Sequence, residues 1–279
     1  MEKEIIKVLF IGDIFGKSGL LAITNFFPIF LEKYAPDFVI GNAENADDGK
    51  GVGPETAEML FSSGFDVLTT GNHIWDNWKS RPFLAKTNKV LRPMNYPSGN
   101  PGLGYFVYEI PNTDVKIGVI NLQGRTFMQT IDCPFRSADR AINDISIKTN
   151  IIIIDFHCEA TAEKIALAHY LDGKVSVIVG THTHIQSADE RILPKGTGYI
   201  TDVGMTGPYN SVVGLKVDIA LKRFLLQTPF KFEQASGDEH IAGIYFEINC
   251  TTGKCVKIER FFYPEFQKTS FVGVQNEKQ

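Results

Sequence analysis

Short apolar runs rich in β-branched residues recur along the chain at Val8–Ile11, Phe38–Ile40, Val67–Thr70, Ile151–Phe156 and Val175–Val179. Between them lie stretches whose apolar residues return at helical spacing. Strands and helices in alternation are the pattern of βαβ units rather than of a sandwich of strands or a helical bundle. The spacing predicts helices over about 17–34, 54–63, 78–87 and 160–172, with Pro54 suited to a helix start and Gly64 and Gly173 to helix ends. A second set of segments, about 104–110, 115–122, 197–202, 241–249 and 255–263, alternates apolar with polar residues between hairpin-type turns. Mixed sheets are therefore expected, in a four-layer α/β/β/α sandwich. No repeat, low-complexity tract or linker interrupts the pattern, which predicts a single domain over residues 1–279 with a polar tail that frays from about Gln267.

Composition narrows the class. The 279 residues are 43% hydrophobic and 22% charged, which excludes disordered and collagenous chains and disulfide scaffolds. Lys plus Arg number 28 against 32 Asp plus Glu, a net charge of −4 with no concentrated basic run, so a grip on duplex nucleic acid is disfavoured. The first apolar run carries Lys7, follows Glu2, Lys3 and Glu4, and stops at Gly12-Asp13, too soon for a signal peptide. No segment approaches the roughly 18 consecutive apolar residues of a membrane span. Cys133, Cys158, Cys250 and Cys255 form no C-x-x-C pair and read as reduced thiols of a cytoplasmic protein, although Cys250 and Cys255 flank a hairpin turn that a disulfide could bridge.

The chemistry lies in the polar residues at the end of each strand. Gly12-Asp13 comes after the first run, Gly41-Asn42-Ala43-Glu44-Asn45 after the second and Gly71-Asn72-His73 after the third. His157 comes after the fourth, and Gly180-Thr181-His182-Thr183-His184 after the fifth. Ligands of open α/β sheets bind beyond the carboxyl ends of the strands, so five strands deliver Asp, Glu, Asn and His to one rim. Four of the six histidines fall in these positions. An extended His182-Thr183-His184 would point both imidazoles the same way, about 7 Å apart, able to address two neighbouring ions. Carboxylate, imidazole and amide oxygen without thiolate suit Mn, Fe, Zn or Co. Two such ions about 3.5–4 Å apart clamp the attacking and leaving oxygens of a phosphoryl displacement. Their charge exceeds that of Asp13 and Glu44 and would hold a phosphate diester and its transition state.

Taken together, Gly12-Asp13-Ile14-Phe15-Gly16, Gly41-Asn42-Ala43-Glu44-Asn45, Gly71-Asn72-His73-Ile74-Trp75-Asp76, Asp155-Phe156-His157, Thr181-His182-Thr183-His184 and Asp202-Val203-Gly204-Met205-Thr206-Gly207-Pro208 resemble the YmdB-type bacterial subfamily of the calcineurin-like metallophosphoesterases. The resemblance runs from about residue 6 to 263 of the sequence. It departs from the wider superfamily in having Phe15 where a His is usual and Glu44-Asn45 in place of a G-D-x-x-D element. The resemblance implies a dinuclear metal-dependent phosphodiesterase that hydrolyses 2′,3′-cyclic nucleotides to 3′-nucleotides. Carried over residue by residue, Asp13, Glu44, Asn45 and His184 would hold one divalent metal ion. Glu44 would bridge to a second held by Asn72, His157 and His182, and His73 would be the general acid. The metals implied are Fe or Mn, with Zn, Co or Mg as alternatives, and the partners are a small cyclic nucleotide and further copies of the chain in a homo-oligomer.

Two other readings compete. Gly12-Asp13-Ile14-Phe15-Gly16-Lys17-Ser18 mimics a nucleotide-binding P-loop, and Ile151–Ile154 followed by Asp155 mimics its companion strand, but three residues separate the glycines where a P-loop needs four. A catalytically silent scaffold on the same fold is the second. Gly49-Lys50-Gly51-Val52-Gly53 is expected to shape the loop bearing Glu44 and Asn45. Arg125 and Arg136 are expected in surface salt bridges or at a substrate phosphate. Trp75 and Trp78 are candidates for base stacking or core packing, Met205-Thr206-Gly207-Pro208 is expected to form a turn walling the pocket, and His169 and His240 lie off every motif.

Overall fold

A computed structural model describes residues 3–111 and 113–266. The first half of the chain runs β1 (Ile5–Ile11), β2 (Asp13–Ile14), α1 (Gly16–Tyr34), β3 (Phe38–Asn42), α2 (Pro54–Ser62), β4 (Val67–Thr69), a 3-10 turn (Asn72–Asp76) and α3 (Ser80–Leu84). It continues β5 (Tyr105–Glu109), β6 (Lys116–Gln123), α4 (Pro134–Ser146), β7 (Ile152–His157), α5 (Thr161–Leu171) and β8 (Val177–Thr181). It closes with β9 (Arg191–Ile192), β10 (Gly198–Ile200), β11 (Met205–Pro208), α6 (Val217–Leu226), β12 (Glu239–Asn249) and β13 (Cys255–Tyr263). One sheet has the order β2-β11-β12-β1-β3-β4, with β13 paired to β12; the other has the order β5-β6-β7-β8-β10-β9. Both are mixed. β1, β3 and β4 run parallel while β12 lies antiparallel to β1. β6, β7, β8 and β10 run parallel, with β5 and β9 antiparallel at the edges.

The layers follow from strand alternation. On β1, Ile6, Val8 and Phe10 join Ile153, Val177 and Val179 of the other sheet in one core, while Leu9 and Ile11 pack with Ile23 and Phe27 of α1 and Leu60 of α2. On β7, Ile153 faces inward, and Ile152, Ile154 and Phe156 meet Ala138, Ala141 and Ile145 of α4 and Leu167 and Leu171 of α5. Strands buried on both faces explain why the sequence shows near-continuous apolar runs there. The order helix, sheet, sheet, helix is the expected α/β/β/α sandwich.

Several elements differ from expectation. The helix expected over 78–87 shortens to α3, with the 3-10 turn before it. α4 and α6 are additional; α4 buries Ala138, Ala141, Ile142 and Ile145, a helical stripe that charged residues interrupt in the sequence. Met205–Pro208 is not a turn but β11, paired with Asp13 and Ile14 on one side and with His240 and Glu239 on the other. All four cysteines are free thiols, Cys250 and Cys255 included. The tail from Gln267 lies outside the described residues.

Ile153 is fully buried between the sheets, whereas Ile147 is 85% exposed. In urea unfolding, Ile153→Ala is expected to lower stability by about 2–5 kcal/mol. Ile147→Ala is expected to stay within about 0.5 kcal/mol of the parent protein.

Candidate metal centre

The carboxyl ends of β3 and β4 in one sheet and of β7 and β8 in the other meet at one rim, where β1 also hands the chain on to Asp13. At its centre, Nε2 of the buried His157 lies 3.0 Å from Glu44 Oε1, 3.2 Å from Asn72 Oδ1 and 2.9 Å from His182 Nδ1. Each of those three atoms is an acceptor or a lone-pair donor, and one ring nitrogen can satisfy only one of them. The other ring nitrogen shows why. His157 Nδ1 is 2.9 Å from Thr181 Oγ1, which gives its single proton to Asp155 Oδ1 at 2.7 Å. Thr181 must therefore accept from His157 Nδ1–H, and a neutral His157 carries its lone pair on Nε2. Asp155 is in turn fixed by Asn42 Nδ2 at 2.9 Å and by the Thr69 hydroxyl.

Two further acceptors of the rim lack partners, although Asp13 Oδ1 lies 3.8 Å from His157 Nδ1 rather than at the Nε2 cluster. Asp13 Oδ1 and Asn45 Oδ1 are buried and make no hydrogen bond. Asp13 Oδ2 accepts the His182 N–H at 3.2 Å, and Asn45 Nδ2 donates to the Gly49 carbonyl at 3.1 Å, which fixes both side chains. An unsatisfied buried acceptor costs about 1–3 kcal/mol, so these oxygens are candidates to face a cation. Glu44, His157 and His182 offer ligand atoms that all lie within 4.8 Å of one another. Carboxylate, amide oxygen and imidazole nitrogen are donors for a borderline or hard divalent ion, and the residues present fit the metal.

The electrostatics agree. Burial raises the Asp13 carboxyl well above its ordinary range, against the pull of His157 and with the push of Asp202 and Glu44. Burial would raise Glu44 as well, but His157, His73 and His182 together hold it at about 2. Burial acts to lower His157, and the Glu44, Asp13 and Asp155 carboxylates outweigh it to bring the ring to about 9. Burial, then the neighbouring His157, push His182 down to about 3. The cluster draws one positive charge to its centre, and a divalent ion would compete for that place with the proton.

His182 and His184 are not the extended pair that the sequence suggests. β8 ends at Thr181, and His182 (φ 103°) and His184 (φ 66°) both lie in the left-handed region. Such backbone costs of order 1–3 kcal/mol per non-glycine residue and persists only when the surroundings dictate it. Here Asp202 dictates it. Its Oδ2 takes the Thr183 N–H at 3.0 Å and the Thr183 hydroxyl at 2.8 Å, and its Oδ1 takes the Gly204 N–H at 2.9 Å. The same carboxylate is paired with the buried Lys164 at 2.7 Å. Sequence reasoning gave no role to Lys164, Asp202, Asp155 or Thr181. A signal for Lys164 existed, because it shares the apolar stripe of α5 with Leu167, Ala168 and Leu171.

Residues 9–261 match the family model described as YmdB-like protein. The chain belongs to the YmdB-like family. It is 45% identical over 254 residues to the 2′,3′-cyclic-nucleotide 2′-phosphodiesterase of Bacillus subtilis (strain 168), which covers 91% of this chain and 96% of that protein. It is 36% identical over 263 residues to a putative phosphatase/phosphodiesterase of Mycoplasma pneumoniae, covering 91% of this chain and 92% of the relative. Among solved structures, a hypothetical protein of Thermus thermophilus matches with a TM-score of 0.86 at 39% identity, over 92% of this chain and 99% of that one. A structure described as a novel phosphatase from Mycoplasma pneumoniae matches with a TM-score of 0.88 at 35% identity, over 94% of both chains. A 5′-nucleotidase of Candida albicans SC5314, 13% identical over 94% of this chain and 51% of that one, shares the fold with a TM-score of 0.52.

In this YmdB-like chain the remaining motif residues surround the cluster. His184 donates Nδ1–H to the Val213 carbonyl at 3.0 Å, which leaves Nε2 as its lone-pair nitrogen. His73 stands outside the cluster: its backbone N–H donates to Glu44 Oε2 at 3.1 Å, and its Nδ1 is 2.9 Å from Asp76 Oδ2. Glu44, Asn45, His73, His182 and His184 line a cavity of about 910 Å³, together with Phe15, which packs edge-on against His184, and with Leu215 and Phe232. The glycine loop shapes its floor, as Gly51 N–H donates to the Glu44 carbonyl. Trp75 packs edge-on against Tyr96 and against the core, whereas Trp78 is 78% exposed. Arg136 pairs with Asp139 on α4, Arg125 donates its backbone N–H to Glu163, and His169 is exposed. His240 is buried among Tyr209, Phe262 and Phe266. The P-loop reading fails on backbone bonds: the N–H groups of Gly12, Asp13, Phe15 and Gly16 donate to Ala242, Gly204, Thr206 and Asn45 carbonyls and cannot cradle a phosphate.

Gly71 has no room for a side chain, because a Cβ would stand 2.2 Å from His157 Cδ2 and 2.3 Å from Glu44 Oε2. Gly71→Ala is expected to keep the fold by circular dichroism yet retain less than half the metal of the parent protein after desalting, as measured by elemental analysis.

Proposed function

We propose that this chain is a dinuclear metal-dependent phosphodiesterase that opens 2′,3′-cyclic nucleotides to 3′-nucleotides. The observation that carries the reading is a pair of buried oxygens without a donor, Asp13 Oδ1 and Asn45 Oδ1, beside a cluster in which Glu44, Asn72 and His182 all crowd His157 Nε2. The substrate class follows from the Bacillus relative, similar over nearly the whole chain.

Asp13, Glu44, Asn45 and His184 would hold one ion, and Glu44, Asn72, His157 and His182 the other. When bound, the two ions supply positive charge for the phosphate and acidify a water so that it can attack phosphorus at neutral pH. The chain's own residues do the rest. Asp76 holds His73 by Nδ1, so that Nε2–H points away from the pair and can protonate the departing 2′ oxygen as the P–O2′ bond breaks. The cavity accommodates a nucleoside beside the phosphate, with Phe15 and Phe232 as apolar faces for the base. We take the metals to be Fe or Mn from the family resemblance, and the N/O donor set admits Zn, Co or Mg as well. The same reading places the protein in the cytoplasm, supported by four free cysteines, and in a homo-oligomer, supported by the exposed Leu221, Phe224 and Leu225 of α6. No helix of the described residues is long and apolar enough to cross a membrane.

The test is to load the purified protein with Mn(II), desalt it, and measure metal per chain and turnover of 2′,3′-cyclic AMP. Two ions and formation of 3′-AMP are expected. Glu44→Ala and His182→Ala are expected to lose metal, and His73→Ala to keep it while kcat falls about 10²- to 10⁴-fold. Zero retained metal, or an unchanged kcat in His73→Ala, would contradict the reading.

A further inference from the structure

We propose that Glu159 is the positioning residue that holds His182 in the orientation a metal ion requires. The inference rests on the dinuclear reading above. Each of the three histidines at the rim has one nitrogen facing the cluster and one facing away, and the outward nitrogens have different partners. His157 gives its outward Nδ1–H to the Thr181 hydroxyl and His184 gives its own to the Val213 carbonyl. His182 presents Nδ1 to the cluster, and its outward Nε2 lies 3.1 Å from Glu159 Oε2. With its proton on Nε2 and directed at that carboxylate, the His182 ring carries its lone pair on Nδ1, toward the cluster. A carboxylate behind a ligating imidazole fixes the tautomer and raises the basicity of the ligand nitrogen.

The topology makes the contact deliberate rather than a chance meeting of surface charges. His157 and Thr181 are register partners at the ends of β7 and β8. The Cys158 N–H donates to the Thr181 carbonyl at 3.3 Å, which ties together the two segments that lead into Glu159 and His182. Cys158 itself is buried, with its Sγ 3.3 Å from Glu163 Oε2, so the stem of the Glu159 loop is anchored. The end of β7 and the loop after it thus supply both the His157 imidazole and the carboxylate that orients its neighbour. Of the three outward partners, Glu159 alone is charged and half-exposed, and it lines the cavity beside His182 and Thr183. His182 also needs such a restraint most, since its backbone is held in the left-handed region and its side chain is less buried than that of His157.

Mn(II) titration of Glu159→Gln, followed by binding stoichiometry and by electron paramagnetic resonance, tests this without reference to turnover. One ion is expected to bind about 10- to 100-fold more weakly than in the parent protein, and the other as before. The exchange-coupled two-ion signal should then give way to that of an isolated ion at one equivalent. His182→Ala is expected to lose the same ion, and the melting temperature of metal-free Glu159→Gln to match the parent. Two ions bound by Glu159→Gln with parental affinities and a coupled signal would overturn the role of Glu159 while leaving the dinuclear reading standing. Loss of both ions with a lowered melting temperature would overturn it too, in favour of a structural role. Fewer than two ions in the parent protein would overturn the dinuclear reading and this inference together.

Discussion

A line of three buried side chains, Asp155, Thr181 and His157, sets the polarity of the whole centre. Because Asp155 takes the hydroxyl proton of Thr181 and Thr181 takes the Nδ1 proton of His157, the Nε2 lone pair of His157 has one direction to point. Every member stands on a strand end, with Asp155 and His157 on β7 and Thr181 on β8. Asn42 and Thr69 reach Asp155 from β3 and β4 across the gap between the sheets. The line itself lies within one sheet, and the bonds from Asn42 and Thr69 tie it to the other, so the packing of the two sheets helps to hold it in place. Buried polar groups that are all satisfied fix one geometry. Here that satisfied line supports a cluster in front of it that is not satisfied.

The contrast between the two shells is the functional content of the structure. Behind the candidate donor atoms, every proton has an acceptor: Thr181 for His157, the Val213 carbonyl for His184, Asp202 for Thr183 and Lys164. At the rim, Asp13 Oδ1 and Asn45 Oδ1 have no donor, and three acceptor or lone-pair atoms crowd His157 Nε2. Leaving buried acceptors unpaired destabilises the fold, as does bending the backbone of His182 and His184 into the left-handed region. Fully buried apolar residues such as Phe10, Ile153 and Phe246 offset these costs in the core between the sheets. Where such costs coincide with an assembly of carboxylate, amide and imidazole, the place has the makings of a cation site.

The fold and the polar residues that end each strand at the rim were legible because they depend on local pattern. Doubly buried strands such as β1 and β7 announce themselves as apolar runs, and the polar residue that ends each run falls at the rim by topology alone. α4 and α6 escaped because charged residues break their apolar stripes, and β11 because Gly207-Pro208 reads locally as a turn although its partners β2 and β12 are distant in sequence. The left-handed geometry of His182 and His184 could not be read from sequence, since it is uncommon for any non-glycine residue and the bonds that impose it come from Asp202. Lys164 carries a legible anomaly, a charged residue on a helix face that is otherwise apolar, but its partner 38 positions away is a matter of tertiary structure.

The central claim is that the unsatisfied atoms in front of His157 are the ligands of two adjacent ions. Anomalous diffraction from crystals of the Mn(II)-loaded protein tests it most directly. The account predicts two peaks about 3.5–4 Å apart, one among Asp13, Asn45 and His184, the other among Asn72, His157 and His182, with Glu44 between them. A single peak, or peaks away from these residues, would contradict it.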